Sequence, residues 1–128
     1  MSTNSSRWLA VIFAVAVVIG SSLPGSSLPD LGGIGVDKLL HFSQYAILSY
    51  LVTRGWGPGR FPGRAEKGAW LLGAFMLAFA GMDEFHQRWI PGRSVEFADW
   101  LADAAGVTAS FLLGYWVNRR MCRTPREL

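Results

Sequence analysis

Between Asp83 and Gly106 the chain reads D-E-F-H-Q-R-W-I-P-G-R-S-V-E-F-A-D-W-L-A-D-A-A-G, which holds five of the nine acidic residues, two of the twelve basic ones and one of the two histidines. Asp83 and Gln87 stand one helical turn apart, as do Asp99 and Asp103, so each pair turns toward a common partner. A second polar set precedes it: Asp37, His41 and Gln44 at i, i+4 and i+7 share one helical face. Three kinds of chemistry suit these residue types. Carboxylates in unlike surroundings can hold a proton apart from one another, with Glu84 as acid and His41 as base. His41, His86, Asp83, Glu84 and Asp99 are metal donors by type. Arg93, after the Pro91-Gly92 turn, can grip a phosphate or carboxylate in bidentate fashion. The nearby hydroxyls are Ser43 and Ser94, neither in a nucleophile motif. No H-x-x-x-H or H-E-x-x-H spacing is present, so neither a metal nor a cofactor is expected. The competing structural reading is a polar network that locks helices together, its carboxylates paired with Lys38, Arg88 and Arg93 or capping helix starts.

The elements that must carry these residues are apolar. The 128 residues suffice for one domain, 51% of them are hydrophobic and 16% charged, and the mean hydropathy is +0.26. Soluble domains carry about 25% charge. Four segments follow from the apolar runs and their breakers: residues 8–23, 37–54, 68–89 and 97–118. Their apolar cores are short, while a full span needs about 20 residues. The polar ends therefore continue the helices and lie at the membrane edge. A signal peptide is the rival reading of the first segment, with Gly20-Ser21-Ser22 as a cleavage site; three further apolar segments favour a retained helix. Residues 21–36 form a Ser/Pro/Gly-rich loop and residues 55–67 a basic Gly/Pro loop. Phe75, Met76, Phe79 and Met82 read as bundle core or lipid face.

The predicted fold is all-α: a four-helix transmembrane bundle with both termini cytoplasmic, in one domain over residues 1–128. Trp8, Trp56, Trp70, Trp89, Trp100 and Trp116 each fall at a segment end, as interfacial anchors do. The loop from Arg54 to Lys67 and the tail from Arg119 each carry four Lys or Arg, which places them inside with the N-terminus. The start of segment two and the end of segment three then meet at the extracytoplasmic face. The net charge of +3 and pI near 9.5 do not signal nucleic acid, because the basic residues cluster at segment flanks and in the tail. That tail has affinity for anionic membrane lipids. The single Cys122 forms no internal disulfide. Gly106, Ser110 and Gly114 form a small-residue stripe suited to close helix approach and to oligomerisation.

The pattern D37-K38-x-x-H41-F42-x-x-Y45 with D83-E84-x-x-Q87, P91-G92-R93 and D99-x-x-x-D103-x-x-G106 resembles the VanZ-like family of small bacterial membrane proteins, over roughly residues 36–114. Asp103 stands where the family usually has Asn. The resemblance implies the bacterial cytoplasmic (inner) membrane, multi-pass, and a link to resistance to glycopeptide antibiotics, particularly teicoplanin. The expected ligand-binding set is Asp37, His41, Asp83, Glu84, Gln87, Arg93, Asp99 and Asp103, with His41, Asp83 and Glu84 as catalytic candidates. Arg93 and the Asp37/His41/Asp83/Glu84/Gln87 cluster would contact the ligand, and Asp99 and Asp103 would hold Arg93 or a neighbouring helix. The partners that fit are membrane lipids and a lipid-linked cell-wall precursor or glycopeptide. The alternative is a membrane-embedded hydrolase or transferase acting on a lipid-linked substrate.

Overall fold

A computed structural model describes residues 2–27, 35–56 and 65–123, with the side chains of residues 3, 65, 66 and 115–123 left out of the description. The tips of the first two of the three connecting loops, the basic tail beyond Arg123 and the side chain of Trp116 therefore lie outside the described residues.

Four helices and no strand make up the described chain: α1 (Thr3–Ser21), α2 (Val36–Trp56), α3 (Ala65–His86) and α4 (Phe97–Arg123). They lie on the four apolar segments, with α1 starting five residues before its segment and α4 ending five after. Each start and stop has a local cause. Ser2 caps α1, its Oγ accepting from the Ser5 amide at 3.1 Å. At the far end the Ser22 hydroxyl donates back to the Val18 carbonyl before Pro24 ends the run, and Ser21 Oγ lies 3.1 Å from the same oxygen. Asp37, in the first turn of α2, accepts from the Gly35 amide at 3.1 Å. A short 3-10 turn, Gln87–Trp89, finishes α3. Ile90-Pro91-Gly92-Arg93 then turns the chain: Arg93 N donates to Ile90 O at 3.1 Å, and Gly92 takes a φ of 73°, which a side chain would resist.

The helices alternate in direction. Arg7 near the start of α1 donates to the Gly55 carbonyl at the end of α2, at 2.9 Å. Trp100 near the start of α4 donates to Leu77 O in α3, at 3.4 Å. α2 and α4 run parallel and pack most closely, because a Cβ at Gly106 would collide with the Phe42 carbonyl oxygen and press on Ala46 N. All of this brings the ends of α1 and α3 and the starts of α2 and α4 to one end of the bundle. The turns there are clasped by Gly25 N donating to Pro91 O at 3.0 Å.

The interior is small and mixed. Val17, Tyr45, Leu48, Met76, Ala80 and Val107 form the apolar core, with Phe13, Phe79, Trp100 and Phe111 packed against it. Buried beside them are Ser6, Ser49, Ser110 and several carboxylates. The outside is apolar instead: Trp70 is 80% exposed, Leu71 and Met82 72%, Trp8 69% and Leu112 63%. The Phe75–Met82 stripe divides accordingly, with Met76 in the core and Phe75 and Met82 outward. Two helical stretches, Asn4–Ser21 and Lys67–Trp89, are long and apolar enough to cross a membrane. α2, with Asp37, Lys38, His41, Gln44 and Arg54, and α4, with Asp99 and Asp103, are less apolar.

Two expectations change. Trp100 is not simply an anchor at a segment end: it is half-buried between α3 and α4, stacked on Phe97. Of the small-residue stripe, Gly106 and Ser110 are already used within the chain, and only Gly114 has open space around it.

Candidate functional site

The polar end is built in two tiers. The outer tier centres on Lys38, one turn into α2. Its ammonium donates to Asp37 at 2.8 Å, to Glu96 at 2.7 Å and to Asp99. Asp37 and Glu96 stay about half exposed (52% and 49%), so this tier forms the rim. The Lys38 hydrogen bond holds the Glu96 carboxyl below the usual carboxylate range.

The inner tier lies deeper along α2 and α4. His41 Nδ1 is 3.0 Å from Asp103 Oδ1, and His41 Nε2 is 3.9 Å from Asp99 Oδ2. Asp103 is 1% exposed and Asp99 7%. Parallel α2 and α4 explain the match: Lys38 and His41 rise one turn together, as do Asp99 and Asp103, so the two ladders meet rung for rung. Glu84 enters from α3. Its Oε1 accepts from the Glu96 amide at 2.7 Å, which fixes the start of α4, while its buried Oε2 has no hydrogen-bond partner among the described residues. Donor atoms of His41, Glu84 and Asp99 lie within 4.8 Å of one another, as do those of Asp37, Glu96 and Asp99. In the second trio Lys38 already supplies the cation.

Asp83 has a different task. Its carboxylate accepts from Ser21 Oγ at 2.5 Å and from the fully buried Tyr45 hydroxyl at 3.2 Å, which ties α1, α2 and α3 together. Gln87 is 3% exposed in the 3-10 turn below it.

The predicted residues thus gather at one end, and Asp99 and Asp103 hold the neighbouring helix α2, one of the two arrangements expected for them. Arg93 does not face the carboxylates. Its guanidinium donates to Gly20 O at 3.0 Å and Leu23 O at 3.3 Å, closing off the C-terminal carbonyls of α1. Asp99 and Asp103 accordingly hold Lys38 and His41, not Arg93, and Arg88 lies over the Phe85 ring at 5.9 Å. Free helix carbonyls attract a guanidinium without any acidic partner, so charge matching along the sequence misassigned it. Glu96 was missed altogether. Its signal was position: an acidic residue just before a helix start is a capping residue, and its carbonyl accepts the Asp99 amide at 2.9 Å. The hydroxyl nearest a buried carboxylate is Ser21, which reads in the sequence as part of a cleavage site. Ser43 has no hydrogen bond to the cluster among the described residues, and Ser94 reaches only Glu96, at 3.3 Å.

No curated protein and no solved structure matches this chain. The family model described as VanZ/LLP1 matches residues 2–118, from the cap of α1 through most of α4, and so takes in every residue of both tiers. With the D-K-x-x-H, D-E-x-x-Q and P-G-R patterns all converging on one end of the bundle, the chain belongs to the VanZ/LLP1 family.

Proposed function

We propose that the protein is a four-span membrane protein of the bacterial cytoplasmic membrane, with both termini inside and its two-tiered polar end at the outer surface. There it binds the polar head of a lipid-linked envelope or cell-wall component, and through that contact lowers the effect of glycopeptide antibiotics. The observation that carries the reading is the inverted distribution of side chains. Large apolar residues point outward along the helices, while Asp83, Glu84, Asp99 and Asp103 are buried between them. In water such an exterior would associate; in a bilayer it is the stable arrangement, and ionisable groups turn inward. The half-exposed rim of Asp37, Lys38 and Glu96 offers acceptors and one cation at the entrance, which suits hydroxyl- and amine-bearing headgroups. Arg93 contributes by holding α1 in place.

A second reading, a hydrolase or transferase on a lipid-linked substrate, has one observation in its favour. Asp103 is bonded to His41 Nδ1 at 3.0 Å, as an orienting carboxylate is bonded to a general base. The hydroxyl of Ser21 is committed to Asp83, so that chemistry would act through water or a substrate hydroxyl.

The test compares membrane abundance with teicoplanin susceptibility in one susceptible host. His41→Gln and Glu84→Gln should reach wild-type abundance and lose protection, whereas Arg93→Gln should lose abundance. Wild-type protein that confers no protection would remove the resistance role. Turnover of a lipid-linked substrate that stops with His41→Gln would favour the second reading.

A further inference from the structure

We propose that His41, Glu84 and Asp99 form a binding site for a divalent transition-metal ion of the zinc or manganese type. Three helices contribute one donor each, so no sequence motif betrays the site. The first observation is geometric: donor atoms of the three residues lie within 4.8 Å of one another, and His41 Nε2 is 3.9 Å from Asp99 Oδ2. Donors around a tetrahedral zinc ion sit about 3.4 Å apart, given bond lengths of about 2.0–2.1 Å, so this pair needs to close by only about 0.5 Å.

The second observation is independent of the clustering. Glu84 is 4% exposed and its Oε2 has no hydrogen-bond partner among the described residues. A buried carboxylate oxygen without a donor is costly, and a cation is the ligand that satisfies it. The other oxygen of Glu84 is fixed by the Glu96 amide. The same division recurs on the other two donors. Asp99 Oδ1 is held by Lys38 while Oδ2 faces His41. His41 Nδ1 is held by Asp103 while Nε2 faces Asp99. His41 and Asp99 therefore each have one atom anchored by the protein and one facing the other, and Glu84 brings a carboxylate oxygen within 4.8 Å of both. A carboxylate on the far nitrogen of a histidine is the usual outer support of a metal-bound imidazole, and it fixes the tautomer that presents Nε2. Asp103 is a positioning residue in this arrangement.

Charge supports the assignment. Asp83, Glu84, Asp99 and Asp103 are buried together, and the basic side chains bonded to them among the described residues are Lys38 and His41. One nitrogen and two oxygen donors suit zinc and manganese and do not suit copper(I), which prefers sulfur. Three protein donors leave a zinc ion at least one open coordination position.

The test uses tag-free full-length protein in detergent, stripped with a chelator, then equilibrated with zinc or manganese chloride and washed. Metal is counted by mass spectrometry, and the zinc-loaded protein is examined by X-ray absorption. The expected result is about one ion per chain, with a nitrogen and oxygen shell that includes one imidazole. His41→Gln and Glu84→Gln should abolish retention, and Asp103→Asn should weaken affinity about 10–100-fold while leaving the stoichiometry. Gly114→Ala, far along α4 with open space around it, should bind as the wild type does. Less than a tenth of an ion per wild-type chain with either metal would overturn the proposal whatever the variants do. So would a shell without imidazole, or retention unchanged in both His41→Gln and Glu84→Gln.

Discussion

The buried carboxylates differ in what they hold, and single substitutions should separate them. Asp83 receives two hydroxyl bonds from α1 and α2. Asp83→Ala leaves the Tyr45 hydroxyl buried and unpaired, while Ser21 Oγ keeps the Val18 carbonyl at 3.1 Å, so thermal unfolding in detergent should show a loss of about 1–3 kcal/mol for the stranded group and the lost clasp. Tyr45→Phe removes one donor only and should cost about 1 kcal/mol. A melting temperature unmoved by Asp83→Ala would contradict the clasp. Asp103→Asn is a milder change, because the amide oxygen can still accept from His41 Nδ1; it should unfold close to the wild type. Glu96 adds a pH dependence. Its carboxyl is held below the usual range by Lys38, so its contribution to stability is present above the unfolded-state value, about 4.3, and fades as pH falls through the lower folded-state value. The melting temperature of Glu96→Gln should therefore differ from that of the wild type at neutral pH and converge with it in strong acid.

Among the elements, the α2–α4 contact sets the site. Lys38 and His41 meet Asp99 and Asp103 only because the two helices approach closely at Gly106, where any side chain would strike the Phe42 carbonyl. Gly106→Ala should cost about 1–3 kcal/mol, the usual range for overpacking, and should weaken the site with it. Gly114→Ala should be neutral or stabilising by up to about 1 kcal/mol, since nothing lies within 4 Å and alanine favours helix. Equal losses at the two positions, measured by thermal unfolding of the purified variants, would contradict the close approach. The helices themselves were legible in the sequence: apolar runs broken by Pro and Gly gave all four, and the i, i+4 spacing of Asp37 with His41 and of Asp99 with Asp103 gave their polar faces. The pairing of those faces was not legible. Nothing local says that α2 lies parallel to α4, and that arrangement, not any spacing, sends Asp99 to Lys38. Arg93 was misread for the same reason, since its partners are backbone carbonyls that no sequence pattern displays.

Across the whole molecule, the side chains are distributed as the proposed membrane setting requires: an apolar exterior, a small core and one charged end. Trp8, Trp56 and Trp70 mark the end of the bundle opposite the polar tiers, where Arg7 lies over the Trp56 ring at 5.6 Å. In the proposed orientation those aromatic and basic residues sit at the inner interface. The order of charges along the chain was enough to propose this orientation, because positive flanks act one by one. The composition of the site needed the folded bundle. The most direct measurement places single cysteines at the two ends in a Cys122→Ser background, Ser94→Cys at the polar end and Asn4→Cys at the other, both exposed. Intact cells are treated with a membrane-impermeant maleimide. Ser94→Cys should label at once, and Asn4→Cys only after the membrane is opened. Labelling of Asn4→Cys in intact cells with Ser94→Cys protected would invert the protein and place the polar end in the cytoplasm; labelling of neither until lysis would contradict a site at the outer surface.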